Sequence, residues 1–598
     1  MKPSTQASAA TLLRRISLDI TGLPPSTEDV ENYISQEGTL DTEKAIDHYL
    51  SLPAYGEKMT RDWLDVARYA DSHGYQDDSY RTMWPWRDWV IHAFNENIPY
   101  DKFLTYQLAG DLLPDATKET VLATAFNRNH PITQEGGVID EEYRSTYVSD
   151  RTNTLGKGIL GITLECAKCH DHKYDPFSQE DYYGMYAFFN QVNEKGLRMD
   201  AVQAKNQKYY ADAPYISISD DDVKGILSFI NKPDTGNIKL MVMNDSVARE
   251  TFVLERGAYD LPTDKVAAVA PKDILEFSDE YAQNRLGLAK WLTDNRNPLT
   301  ARVYVNRLWA IIFGQGIVKT IEDFGSQGSL PTHPELLDWL AVDFMENGWD
   351  IKYILKKILS SATYAQSSHL TPELKEKDPE NILLARGSRF RLSAEEVRDY
   401  ALATSGLLNG EVGGPSVKPY QPPGLWEETN AGGNRGILTN YVTDAGEKLY
   451  RRSLYTFWKR TLPPPSMTIF DAPNRDLCEV RRQKTNTPLQ ALAMQNDEQI
   501  LECARVLSTE IASKTHGEEA ILEAFHRILL RPPTTDEMEV LNGYYDEYLE
   551  KFRKNPEAAA GILNVGRYPS ANADSSESAA LMMVSQVLYN LDETISKE

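Results

Sequence analysis

Apolar residues recur at three- and four-residue spacing through positions 11–200, which predicts a run of amphipathic helices closed by turn and cap signals. Leu23-Pro24-Pro25-Ser26 stops one segment, and Ser26-x-x-Asp29 opens the next as an N-cap with an acidic first turn. Asp41 to Leu52 and Gly56 to Tyr69 read as further helices, the second with Trp63, Leu64, Val66 and Ala67 on its apolar face. Trp84-Pro85-Trp86-Arg87-Asp88-Trp89 begins another, with proline in its first turn. Its three tryptophans read as core packing, with a sugar-stacking platform as the alternative. Glu141 to Asn153 reads as a helix, and Asp181 to Asn190 carries Tyr182, Tyr183, Met185, Tyr186, Phe188 and Phe189 as an aromatic wall.

The pattern changes over about 205–275. Ile216-Ser217-Ile218, Ile238 to Met243 and Glu250 to Leu254 are short β-type runs between polar turns. Helical spacing returns at Asn284 to Leu292, Ala301 to Phe313 and Ile351 to Ser360. Thr332-x-x-Glu335 and Ser393-x-x-Glu396 read as capping boxes. Residues 409–450 are rich in glycine and proline and read as a long ordered loop of the kind that covers a site. From Thr487 to Glu598 the chain is helical again; Arg531-Pro532-Pro533-Thr534 repeats the helix-start chemistry of Leu23–Ser26. The expected fold is mainly α, two helical lobes (10–200 and 280–598) with a small β-rich insert (205–275) between them.

At 598 residues the chain exceeds one hydrophobic core, which agrees with two lobes. Its net charge of −25 argues against nucleic acid or anionic membrane as a partner, and no run of 18 apolar residues predicts a membrane span.

The chemistry concentrates in Leu164-Glu165-Cys166-Ala167-Lys168-Cys169-His170-Asp171-His172-Lys173-Tyr174-Asp175-Pro176. Cys-x-x-Cys-His is the pattern of covalent haem c attachment: two thiols add to the haem vinyls, and the adjacent imidazole reaches the iron. Cys166, Cys169 and His170 are therefore candidate haem ligands, and two of only four cysteines are spent here. The residues alone leave open a disulfide, a non-haem metal site that includes His172, or plain buried thiols. His172 with Asp171 or Asp175 is a candidate for an additional metal ion. The other cysteines, Cys478 and Cys503, are free to pair or stay reduced. Haem attachment of this kind belongs outside the cytoplasm, whereas Met1-Lys2-Pro3-Ser4-Thr5 has no apolar signal region. The haem reading thus expects a longer, exported precursor.

Several longer motifs resemble a known family. Arg14-Arg15-Ile16-Ser17-Leu18-Asp19-Ile20-Thr21-Gly22-Leu23-Pro24-Pro25, Ala67-Arg68-Tyr69-Ala70-Asp71, Gln107-Leu108-Ala109-Gly110-Asp111 and the Cys166–Pro176 stretch resemble DUF1549, planctomycete cytochrome C domain 2. Asn297-Pro298-Leu299-Thr300-Ala301-Arg302, Pro331 to Leu340, Arg452 to Arg460 and Thr487-Pro488-Leu489-Gln490-Ala491-Leu492 resemble its usual partner, DUF1553 or domain 1. The resemblance implies an exported, periplasmic protein of Planctomycetes or Verrucomicrobia, with gene neighbourhoods that point to polysaccharide degradation.

The expected function is an exported c-type haem protein, an oxidoreductase or electron carrier linked to sugar metabolism, with a redox protein or a saccharide as partner. His130 is the first choice of distal haem ligand because it sits in a polar loop near Gly136-Gly137; His73 and Met185 are the others. The alternative is a carbohydrate hydrolase or lyase, or a glycan-binding module, with a structural Cys pair. His73, Glu135, Asp150 and Arg151 are then the candidate catalytic residues, drawn from a set of acids that includes Asp71, Asp77, Asp78, Glu141 and Glu142. Arg151 can instead clamp a carboxylate or sulfate.

Overall fold

The computed structural model describes residues 2–76, 78–197, 211–218, 238–429, 438, 440–569 and 574–598. About half of the protein is helical, and among the described residues the strands form three small two-stranded antiparallel sheets, so the fold is mainly α. Among the described residues no helix is long and apolar enough to cross a membrane.

Local sequence explains most helices. Ile351–Leu359 buries Ile351, Ile354, Leu355, Ile358 and Leu359 on one stripe and turns its lysines outward. Asp350 caps its N-terminus by accepting the Tyr353 N–H, and Lys356 and Lys357 sit in the last turn, where cations are favoured. The boxes expected at Ser26/Asp29 and Ser393/Glu396 both form, and Thr534/Glu537 repeats the first. The box expected at Thr332 does not. The Pro334–Glu346 helix starts on proline with His333 as N-cap, because the Thr332 hydroxyl and N–H both bond the Ile317 carbonyl. Trp84, Trp86 and Trp89 are all fully buried in the core.

The β-type runs become two hairpin-like pairs, Tyr215–Ile218 with Ile238–Met241 and Thr251–Leu254 with Pro262–Val266. The hydrophobic core that starts at Leu13 continues across this segment, through the Arg285–Leu292, Thr300–Phe313, Pro334–Glu346 and Ile351–Leu359 helices, to Tyr364, and also takes in Val417, Leu454, Tyr455 and Cys478. A second core takes Leu392 onward, chiefly the Ala394–Thr404, Glu498–Ala512, Gly517–Leu529 and Ser575–Tyr589 helices.

Buried polar groups join the two. On the Ala9–Thr21 helix, Arg14 donates to the Glu593, Thr594 and Ser596 carbonyls and Arg15 to those of Gln366 and Glu598. Asp19 accepts from Lys597 and from the Tyr364 hydroxyl. Arg452 reaches Glu57 at 2.9 Å, Asp399 at 3.1 Å and the Thr21 carbonyl at 2.9 Å. Asp71 exchanges backbone and side-chain bonds with Trp458, both at 2.9 Å. Within the first core, Arg285 forks onto Asp111 at 2.7 and 2.8 Å.

Removing one partner from a buried ion network strands the others, whereas an exposed pair contributes little. Arg452→Ala is expected to cost about 3–5 kcal/mol in urea unfolding. Lys356→Ala, which breaks the surface pair with Asp47, should cost less than about 1 kcal/mol. Equal losses would contradict this account of the seam.

Candidate functional site

The Asp140–Leu155 helix runs on through one wider turn, Gly156–Leu160, and stops at Gly161 in the left-handed region. A Cβ on Gly161 would sit 2.9 Å from Val303 and from Phe324, so the chain turns here only without a side chain. The next turn, Leu164–Lys168, is 3₁₀ and presents the motif at the surface. Leu164 and Ala167 point into the core, while Cys166, Cys169 and His170 are exposed. Both thiols are free, as are the buried Cys478 and Cys503.

The three motif side chains have distinct environments. His170 Nδ1 lies 2.7 Å from the Asp171 carbonyl; a carbonyl only accepts, so Nδ1 carries the proton and the Nε2 lone pair is left facing outward. The same orientation, ring N–H to a backbone carbonyl, holds metal-binding imidazoles generally. Lys168 is fixed through its carbonyl, which accepts from the Tyr183 hydroxyl and Gln179. Gly257 packs against Cys169, where a Cβ would stand 3.0 Å from Sγ.

His172 and Asp175, the candidate extra metal ligands, turn inward. His172 Nδ1 accepts the Asp175 N–H at 2.9 Å, and its backbone N–H donates to Phe177 at 2.7 Å. Asp175 accepts the Ser326 N–H at 2.6 Å, so these residues tie the motif to the segment after the Thr300–Phe313 helix. Among the described residues no group of three or more His, Cys, Asp or Glu side chains could hold a metal ion.

The candidate distal ligand and the candidate catalytic residues fall mostly in one buried cluster. Arg151 binds Glu194 with both terminal nitrogens, at 2.5 and 2.6 Å, and donates through Nε to the Asn127 carbonyl. Its Nη2 also donates to His130 Nε2 at 2.8 Å, while His130 Nδ1 donates to the Pro131 carbonyl and the ring stacks on Tyr147. Both His130 nitrogens are used and the residue is fully buried, so it braces this cluster instead of reaching a haem face. Burial, then the Arg151 and Arg128 charges, hold its pKa well below the usual histidine range. Burial alone would raise Glu194, but Arg151 and Arg128 outweigh it and keep the carboxyl ionised below the usual range. Asp150 pairs with Arg68 at 2.9 Å; burial raises its pKa against the opposing guanidinium charges. His73 is fully buried with Nε2 3.8 Å from Asp212, and Met185 lies wholly in the core.

Four of the remaining acids are also engaged, while Glu142 is exposed. Glu135 accepts the Gln76 N–H at 2.7 Å, and Glu141 pairs with Arg144. Asp71 accepts from Tyr69, Ser416 and Trp458, while Asp78 accepts from Gly74 and Thr461. Asp77 lies outside the described residues. Arg128, Glu194 and Arg460 were missed by sequence reasoning. Arg460 donates to the Arg68 carbonyl at 2.5 Å from a site 392 positions away, a pairing with no local signal.

Residues 1–194 match the family described as a protein of unknown function (DUF1549), and residues 284–545 match the one described as a protein of unknown function (DUF1553). The chain belongs to the DUF1549/DUF1553 family. No curated protein and no solved structure matches it. The family motifs take on physical meaning in the fold: the Arg14–Pro25, Ala67–Asp71, Gln107–Asp111 and Arg452–Arg460 stretches carry the polar seam between the two matched regions.

A histidine whose folded pKa is depressed stabilises the fold above its unfolded value, and that contribution is lost as pH falls toward the folded value. His130 should therefore make stability decline below about pH 6.5, by up to about 1.4 kcal/mol per pH unit. His130→Gln is expected to remove that slope relative to the unaltered protein in urea titrations from pH 7 to 5. Parallel curves would show that His130 does not stay neutral in the fold.

Proposed function

We propose that this protein is a c-type haem protein that acts in electron transfer or haem redox chemistry outside the cytoplasm. One observation carries the reading: two free, exposed thiols stand one turn apart beside an imidazole whose Nδ1–H is fixed to the Asp171 carbonyl and whose Nε2 faces outward. The donor set fits the group. Cys166 and Cys169 would form the two thioethers, and His170 would supply the proximal nitrogen. Bound there, haem supplies one-electron or peroxide chemistry.

The chain's own residues do the positioning. Leu164 and Ala167 anchor the turn in the core, and His172 and Asp175 pin the segment that follows it. The proton on His170 Nδ1 keeps Nε2 basic and oriented. His73, His130 and Met185 are all fully buried, so a sixth ligand from this chain is not among them. Held at this exposed turn, the group would lie within reach of a small molecule or of a redox partner.

Exported from a host with cytochrome c maturation machinery, the protein is expected to give a pyridine haemochrome spectrum that survives acid–acetone extraction. Changing both Cys166 and Cys169 to alanine should abolish the covalent species. His170→Ala should keep the thioethers but change the axial ligation spectrum. Protein that matures folded and without haem would overturn the proposal.

A further inference from the structure

A charged cleft of about 560 Å³ lies outside the motif, where the two matched regions meet. Its walls come from the Ala9–Thr21, Pro53–Val66 and Thr300–Phe313 helices, the Phe390–Arg391 strand, residues 479–485 and Lys597. Nine Lys or Arg residues and five Asp or Glu residues line it, an excess of positive charge in a protein whose net charge is −25. Such local reversal of sign, in a concave low-dielectric wall, focuses a field that draws anions.

Much of this charge is already matched. Lys58 binds Glu396 at 2.6 Å, Lys597 binds Asp19 at 2.5 Å, and Arg482 binds Glu395 at 2.6 Å. Lys484 and Arg307 are not, and Arg391 is matched only in part. Lys484 and Arg307 have no carboxylate within ion-pair distance among the described residues. Arg391 gives one terminal nitrogen to Asp471, while its Nε and Nη1 are buried without a hydrogen-bond partner. Arg307 gives one to the Gly158 carbonyl, and its Nε and Nη1 are in the same state. Both arginines are more than nine-tenths buried. Buried donors without acceptors are costly, and two such guanidinium edges on the wall of one cleft favour an acceptor there.

The geometry around Phe390 completes the site. Lys484 Nζ lies 3.6 Å and Lys597 Nζ 4.5 Å from the centre of its ring, so two ammonium groups meet at one aromatic ring. The ring is braced against Gly314, whose φ is 79° and whose Cβ, if present, would lie 2.5 Å from it. The Lys484 side chain stands at the mouth, in contact with water; the cavity wall first, and the Lys597 charge after it, push its pKa below the usual lysine range. A bound anion would relieve both effects.

We infer that this cleft binds a small organic molecule that carries a sulfate or phosphate ester group. The oxyanion is held by Lys484 and the free edges of Arg391 and Arg307, and the organic body lies against Phe390. Guanidinium edges and an ammonium point charge suit an oxyanion with several acceptor atoms. The volume is that of a small-molecule site and far exceeds one bare ion, so the anion comes attached to a larger body. The site uses none of the Cys166–Asp175 residues and stands or falls apart from the haem reading.

The test is calorimetric titration of the full-length protein with glucose 6-phosphate, glucose 6-sulfate and neutral glucose, at constant ionic strength set with potassium chloride. Saturable binding of one or both esters, with none for glucose, is expected; the stronger of the two identifies the ester class. Lys484→Met removes a side chain that holds no ion pair and should leave the fold intact while weakening binding by about tenfold or more. Lys484→Arg should restore most of the affinity. Arg391→Lys, which keeps a cation for Asp471 but loses the second guanidinium edge, should weaken binding as well. Absence of ester binding, or equal affinity in Lys484→Met and the unaltered protein, would overturn the assignment.

Discussion

The protein depends on carrying charge through a buried seam. Arg452 binds Glu57, Asp399 and the Thr21 carbonyl at once, and Arg482 spans Asp65 and Glu395. Taking such groups out of water costs several kcal/mol per ion, and the cost is recovered only where every fork meets its acceptors. The two regions therefore fit together in one register, since a small slip would leave several guanidinium groups without partners. Apolar contact, which is non-directional, cannot impose that register alone.

Contacts to the second matched region also hold the Cys-x-x-Cys-His motif at the surface. His172 and Asp175 reach inward to Phe177 and Ser326, so the Cys166–His170 turn is held from below by the region that follows the β segment. Its reactive atoms stay outside. His130, Asp150 and Asp71 are instead committed to the interior, to Arg151, Arg68 and Trp458. The cleft near Phe390 is one place where the pairing of charges is incomplete.

Helices and most of their ends were legible because their causes are local. The stripe of Ile351, Ile354, Leu355 and Ile358 and the boxes at Ser26 and Ser393 need only residues within one or two turns. Thr332 shows the limit: its hydroxyl meets Ile317, fifteen positions back, and the expected cap yields to that tertiary contact. His130 shows it again. A polar loop with nearby glycines suggested an accessible ligand, yet Arg151 and Tyr147 close over the ring.

By itself the sequence determined the mainly helical fold, the short β segment, the family and the Cys166–His170 motif, all of which rest on spacing and residue type within short windows. Only the tertiary structure decided which charged groups are buried, which are satisfied, and that the Asp171 carbonyl orients His170 while Asp175 turns to Ser326. Lys484, Phe390 and Lys597 are far apart in the chain and meet in one cleft. Electrostatic character depends on distance and solvent access, and neither is written in linear order.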